Sequence, residues 1–172
     1  MSEHFPDHIA PINFARNGKS IQQKLAISQL ERACSMLISD QGEILVDLHF
    51  NTDESNLPVL TGSLKATIQL PCQRCTEAMD IALESTFEMA LIQDEKDEES
   101  LPEQYEALLV DDKAFSLKDF IEDELILSIP LVANHQPEHC DATQFLQDPT
   151  EIEIEEQREN PFQVLEQLKG EV

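Results

Sequence analysis

The chain has 172 residues, 41% of them hydrophobic, which suits one domain with a buried core plus a tail and argues against full disorder. Eleven Lys and Arg stand against 35 Asp and Glu, a net charge of −24. The excess is uneven: residues 1–75 carry 6 basic and 8 acidic groups (−2), whereas residues 76–172 carry 5 and 27 (−22). Affinity for nucleic acid comes largely from Lys and Arg that neutralise phosphates and release counterions. Tight direct binding of DNA or RNA is therefore disfavoured, and a basic protein is the expected partner.

The start, Met1-Ser-Glu-His-Phe-Pro-Asp-His8, lacks the cationic and apolar runs of a secretory signal, so a cytoplasmic protein is expected. The longest apolar stretch, Leu125 to Ala133, is interrupted by Ser128 and Pro130 and is far shorter than the ~20 residues that span a bilayer. No membrane association is expected. Four cysteines in such a chain read as thiols or metal ligands rather than as a disulfide framework. With only four glycines, no repeat and neither GxGxxG nor GxxxxGK[ST], phosphate-loop readings have no support.

In chain order, Ser28-Gln-Leu-Glu31 has the form of a capping box and predicts a helix through about Leu37, with Leu30, Ala33, Cys34 and Leu37 on its buried face. Cys34 there is most simply a core residue. Ile44, Val46, Leu48 and Phe50 recur with period 2, as do Leu64, Ala66, Ile68 and Leu70, and the two runs read as antiparallel strands joined by the polar turn Asn51 to Asn56. A third run, Ile81 to Leu91, returns antiparallel beyond Pro71-Cys-Gln-Arg-Cys75. The acid-dense segment Gln93 to Ser100 reads as a solvated loop and Tyr105 to Val110 as a short strand.

Ser116-Leu-Lys-Asp119 starts a second helix whose stripe contains Leu117, Phe120, Ile121, Glu124, Leu125 and Leu127, and Pro130 ends it. In Glu122-Asp-Glu124 most of the charge is expected to face solvent. From Asp148 to Glu159 six acids accompany one arginine, after which Asn160-Pro-Phe162 opens a short helix to about Lys169. The expected architecture is α+β: an antiparallel β-meander with two or three short helices over residues 1–147. Residues 148–172 are expected to form an acidic linker and a docking-type helix whose Phe162, Leu165 and Leu168 engage a partner, the alternative being that they pack on the chain's own domain.

Cys72-Gln-Arg-Cys75 has the two-residue spacing that brings two sulfurs to one point, as tetrahedral zinc requires. His135-Gln-Pro-Glu-His139-Cys140 adds two imidazoles and a thiol, so Cys72, Cys75, His135 and His139 form a CxxC…HxxxH ligand set. The ~60 intervening residues exceed those of a small zinc finger and imply a clasp closing a domain. Two other arrangements fit the same residues: ordinary thiols at a strand turn with exposed histidines, or a redox CxxC. The redox case wants CxxC opening a helix in a βαβ unit, and here it lies between two strand-like runs. Nothing marks an oxyanion hole beside Cys140 and His139, and no two carboxylates are singled out as an acid–base pair.

Several of these segments, in order, resemble the YceD family of bacterial large ribosomal RNA subunit accumulation proteins. They are Gly62 to Leu70 leading into Cys72-Gln-Arg-Cys75, Leu101-Pro-Glu-Gln-Tyr105-Glu, Glu122-Asp-Glu124-Leu-Ile-Leu with Ile129-Pro130-Leu, His135…His139-Cys140, and Asn160-Pro161-Phe162-x-Val164-Leu-x-x-Leu168-Lys169. The resemblance spans about residues 10 to 170 and is weakest over the first 55. Other branches of the family have cysteines where His135 and His139 stand, an exchange that keeps zinc-competent ligands; Cys140 is an alternative ligand. The resemblance implies a role in synthesis, processing or stability of 23S rRNA. Family genes often neighbour that of a small large-subunit ribosomal protein, which agrees with a basic ribosomal protein or a pre-ribosomal particle as partner. The expected function is a non-enzymatic ribosome biogenesis factor. The alternative is a CxxC-dependent enzyme, either a thiol oxidoreductase or a metal-dependent RNA-processing enzyme.

Overall fold

A computed structural model of the chain describes residues 5–112, 115–136 and 139–140. Its chain divides into residues 1–140 and 141–172, and every described residue belongs to the first unit. The expected helix bearing Phe162, Leu165 and Leu168, and the acidic linker before it, lie outside the described residues.

Period-2 patterning dictates the centre of the fold. Strands β2 (Ser20–Ala26), β3 (Glu43–Thr52), β4 (Pro58–Pro71) and β5 (Ala78–Ile92) form consecutive antiparallel pairs, following β1 (His8–Ile9) in the chain. Val46 lies opposite Leu64, and Ala66 opposite Leu83. One face of the sheet buries Ile21, Leu25, Ile44, Val46, Leu48, Phe50, Leu60, Leu64, Ile68 and Leu70, while the residues between them are mostly polar and solvated. The meander expected from Ile44–Phe50, Leu64–Leu70 and Ile81–Leu91 is thus present, with β4 starting six residues earlier. The α+β class holds, but the sheet is mixed, because β6 (Glu106–Leu109) runs parallel to the end of β5. The acidic segment before it contains an exposed 3-10 turn, Glu95–Ser100, that carries the chain back for this crossover.

Helices α1 (Pro11–Arg16), α2 (Glu31–Cys34) and α3 (Leu117–Ser128) sit on the apolar face. Strand β7 (Phe115–Ser116) pairs with β1 just before α3 begins. As expected, Ser116 caps α3, its hydroxyl accepting from Asp119 N at 3.2 Å, and the helix stops short of Pro130. Leu117, Phe120, Ile121 and Leu125 are buried, but Leu127 is 78% exposed, one step too far round the cylinder. Phe120 meets the ring of Phe87 edge-on at 5.4 Å, and Gly62, directly opposite Phe87 in the sheet, leaves room for that ring. A Cβ on Gly62 would come within 2.7 Å of it and 2.6 Å of Leu48.

The capping box at Ser28 does not form. Ser28 lies in a 3-10 turn, Ile27–Gln29, and α2 begins only at Glu31. Its free amides are capped from α3 instead: Glu122 Oε1 accepts from Arg32 N at 2.7 Å and Ala33 N at 3.1 Å, while Oε2 accepts from Arg32 Nε at 2.8 Å. Glu122 is accordingly buried, at 4% exposure. Asp123 Oδ1 accepts from Arg32 Nη1 and the carbonyl of Asp119 from Nη2. Helix α1 is capped in the same manner, Asp112 Oδ1 accepting from Ile12 N at 2.8 Å. Acidic residues from the second half of the chain thereby terminate helices of the first half.

Candidate metal centre

The turn from β4 to β5 is built on Cys72 and Cys75. Cys72 N donates to the Glu77 carbonyl at 2.8 Å and Thr76 N to the Cys72 carbonyl at 2.9 Å, which closes a tight loop. Thr76 takes φ +63°, a left-handed conformation unfavourable for a β-branched residue, directly after the second cysteine. This reversal leaves both sulfurs facing inward, and both cysteines are buried.

After α3 the chain runs back alongside this turn. Gln73 N donates to the Ala133 carbonyl at 2.8 Å, Gln73 Nε2 to the Leu131 carbonyl at 3.0 Å, and Arg74 bonds the His135 carbonyl. These bonds bring His135 to the turn from 60 positions beyond Cys75, and Cys140 reaches the same turn from 68 positions beyond Cys72. The ligand atoms of Cys72, Cys75, His135 and Cys140 all lie within 4.8 Å of one another. Cys72 Sγ is 3.8 Å from Cys140 Sγ, and Cys75 Sγ is 3.3 Å from His135 Nδ1.

Three of the four expected ligands are therefore brought together: Cys72, Cys75 and His135. The fourth place is held by Cys140, whereas His139 stands outside the group and lines an adjoining groove. Adjacent residues on a turn direct their side chains differently, and the HxxxH spacing alone carried no information on which of the two would face the sulfurs. Cys34 is not part of this group. Half-buried in α2, it donates to the Ile27 carbonyl at 3.1 Å, and burial pushes its thiol up, aided by the charges of Asp40 and Glu122.

The two facing thiols are shifted in opposite directions. Burial opposes ionisation of Cys72, but N–H groups of Cys75, His135 and Arg74 directed at its sulfur outweigh that penalty and hold its thiol down to about 5. The N–H groups of His135 and Arg74 approach it at 3.4 and 3.5 Å. Cys140 is pushed up to about 11, by burial and then by its hydrogen bonds with Cys75 and Cys72. The donor set fits zinc. Three sulfurs and one imidazole nitrogen are a common structural zinc combination, and zinc–sulfur bonds of ~2.3 Å place two tetrahedral sulfurs about 3.8 Å apart. A metal here would cross-link the β4–β5 turn to the segment after α3.

Among the described residues no helix is long and apolar enough to cross a membrane. No solved structure matches the chain. A curated protein from Haemophilus influenzae, named large ribosomal RNA subunit accumulation protein YceD, is 32% identical over 169 residues, covering 95% of each chain. The family model described as large ribosomal RNA subunit accumulation protein YceD matches residues 60–169, a span that includes the Cys/His cluster, α3 and the C-terminal region. The chain belongs to the YceD family.

Proposed function

We propose that the protein is a non-enzymatic ribosome biogenesis factor that acts in the cytoplasm and promotes accumulation of 23S rRNA by holding a basic ribosomal protein, free or within a pre-ribosomal particle. The observation that carries this reading is the family match over residues 60–169. The charge supports the indirect route to RNA: residues 76–172 carry −22, which attracts Lys- and Arg-rich protein and repels phosphate. Cys72, Cys75, His135 and Cys140 would hold zinc as a structural cross-link, and the reading assigns no catalytic step to it.

Cells lacking the gene provide the test. Loss of the protein is expected to lower the ratio of large- to small-subunit rRNA, and the full chain should restore it. Capture of the tagged full chain should recover a basic ribosomal protein, with yield falling as salt is raised, and RNase treatment should leave that recovery intact. An unchanged rRNA ratio, or recovery that vanishes with RNase, defeats the reading.

A further inference from the structure

The sheet ends unevenly. Strand β5 is paired along Ala78–Ala90 with β4, but on its other side β6 covers only Met89–Ile92. Among the described residues the outer edge of β5 from Ala78 to Glu88 has no strand partner. The bond from Cys72 N–H to the Glu77 carbonyl fixes which backbone groups face outward: those of the even-numbered residues Ala78, Asp80, Ala82, Glu84, Thr86 and Glu88. The far end of β5 agrees, since the carbonyl of Ile92 accepts from Val110 N on the β6 side at 2.8 Å.

The two faces of this edge differ in chemistry. On the solvent face stand Asp80, Glu84 and Glu88, of which Lys65 neutralises only Glu84, at 2.7 Å; Asp80 and Glu88 have no ion-pair partner among the described residues. On the core side, half-buried Met79 and Ile81 border a groove of about 660 Å³ whose opposite wall includes Pro130, Val132 and His135. Val132 and Leu131 are 64% and 95% exposed. The sheet's other edge, β2, lacks this character, because its Lys24 is bonded to Glu43 and its Gln22 to Asp47.

We infer that the β5 edge is a strand-addition site for an extended segment of a basic protein, with Lys or Arg at alternate positions and aliphatic residues between them. Its backbone completes the hydrogen bonds of residues 78–88 and its cations face Asp80 and Glu88. Its aliphatic side chains cover Met79, Ile81 and Val132. Alternating segments of opposite sign, or basic segments without the alternation, satisfy only part of the site. The partner class rests on the reading proposed above; the edge and its polarity do not.

The probe is a nine-residue peptide alternating Lys and Val, offered to the full-length protein, with a Glu–Val peptide and a block peptide of the same Lys and Val content as controls. The Lys–Val peptide is expected to bind best and to slow amide exchange at Asp80, Ala82, Glu84 and Thr86. Ala82→Pro removes an outward N–H without touching the β4 ladder, so its melting temperature should stay near that of the parent while peptide affinity falls about tenfold. Asp80→Lys with Glu88→Lys, both at exposed positions, should weaken binding about tenfold as well. The inference is overturned if the edge amides are already protected in the free full-length protein, if the Glu–Val peptide binds equally well, or if Ala82→Pro binds both peptide and ribosomal protein unchanged. Peptide docking at the edge by a chain that recovers no ribosomal protein from cells leaves the site standing and refutes the ribosomal reading instead.

Discussion

Two clips tie distant parts of this chain together, and they close by different means. Glu122 in α3 joins α2 through two backbone amides and the Arg32 guanidinium, so the buried carboxylate has all its partners within the protein. The cluster of Cys72, Cys75, His135 and Cys140 joins the β4–β5 turn to the segment after α3, but its donor atoms face one another. The first clip is complete as folded. The second gathers electron-rich atoms into a space that a cation would fill, so its strength depends on what the solution supplies.

The largest effect is expected from breaking the self-sufficient clip. Glu122→Ala would leave the Arg32 and Ala33 amides without their acceptor, the second of them buried, and the loss should be about 3 kcal/mol in chemical denaturation. Arg32→Ala should cost less, because the carboxylate would keep its two amide donors. Equal losses for the two variants would mean that the ion pair, rather than the capping of α2, holds the clip together.

The second clip should respond to metal. With free zinc about a hundredfold above its Kd, unfolding should become harder by about 2.7 kcal/mol, and a chelator should remove that gain. Cys72→Ser and Cys140→Ser should abolish the difference between zinc and chelator, while His139→Ala should retain it. The reverse outcome for the last two variants would make His139 the fourth ligand. Glu122→Ala, still folded at low denaturant, should keep the zinc gain, because the clips share no residue.

Between these clips lies the sheet, and Gly62→Ala tests whether its packing is as exacting as theirs. The added methyl would meet Leu48 and Phe87 inside van der Waals contact, and Phe87 is itself held by Phe120. A loss of about 1–3 kcal/mol is expected in the same denaturation measurement, with the zinc gain unchanged. A neutral result would show that Phe87 can move aside without disturbing α3.

The two clips also mark where the sequence was readable. Strands β3, β4 and β5 were legible because alternation is a local signal and each strand has one buried face. Strand β2 was missed: Gln23 interrupts the apolar positions Ile21 and Leu25, and its Oε1 is buried with no hydrogen-bond partner among the described residues. The six-residue α1 has no cap of its own, and its amide is bonded by Asp112 from across the chain. Ser28 looked like a cap, yet a carboxylate 94 positions away in sequence took that role for α2. Of the Cys/His cluster, the CxxC turn and the approach of His135 were readable from spacing. That Cys140 rather than His139 joins the group is a matter of tertiary placement, which no local pattern encodes.

The smallest expected effect concerns Ser116, which starts the helix that serves both clips. Its hydroxyl satisfies one of the four free amides at the start of α3, accepting from Asp119 N, and Ser116→Ala should cost about 1 kcal/mol. The residue lies about 1.7 turns before Glu122, and its backbone is pinned by the pairing of His8 with Ser116. The loss should therefore remain local: the zinc gain should be that of the parent, and the further cost of Glu122→Ala should be unchanged when the two substitutions are combined. Additivity within about 0.5 kcal/mol would show α3 to be a rigid bar whose start is independent of its middle. A single-variant loss approaching that of Glu122→Ala would show instead that fraying at Ser116 reaches Glu122, and the two clips would then have to be treated as one cooperative unit.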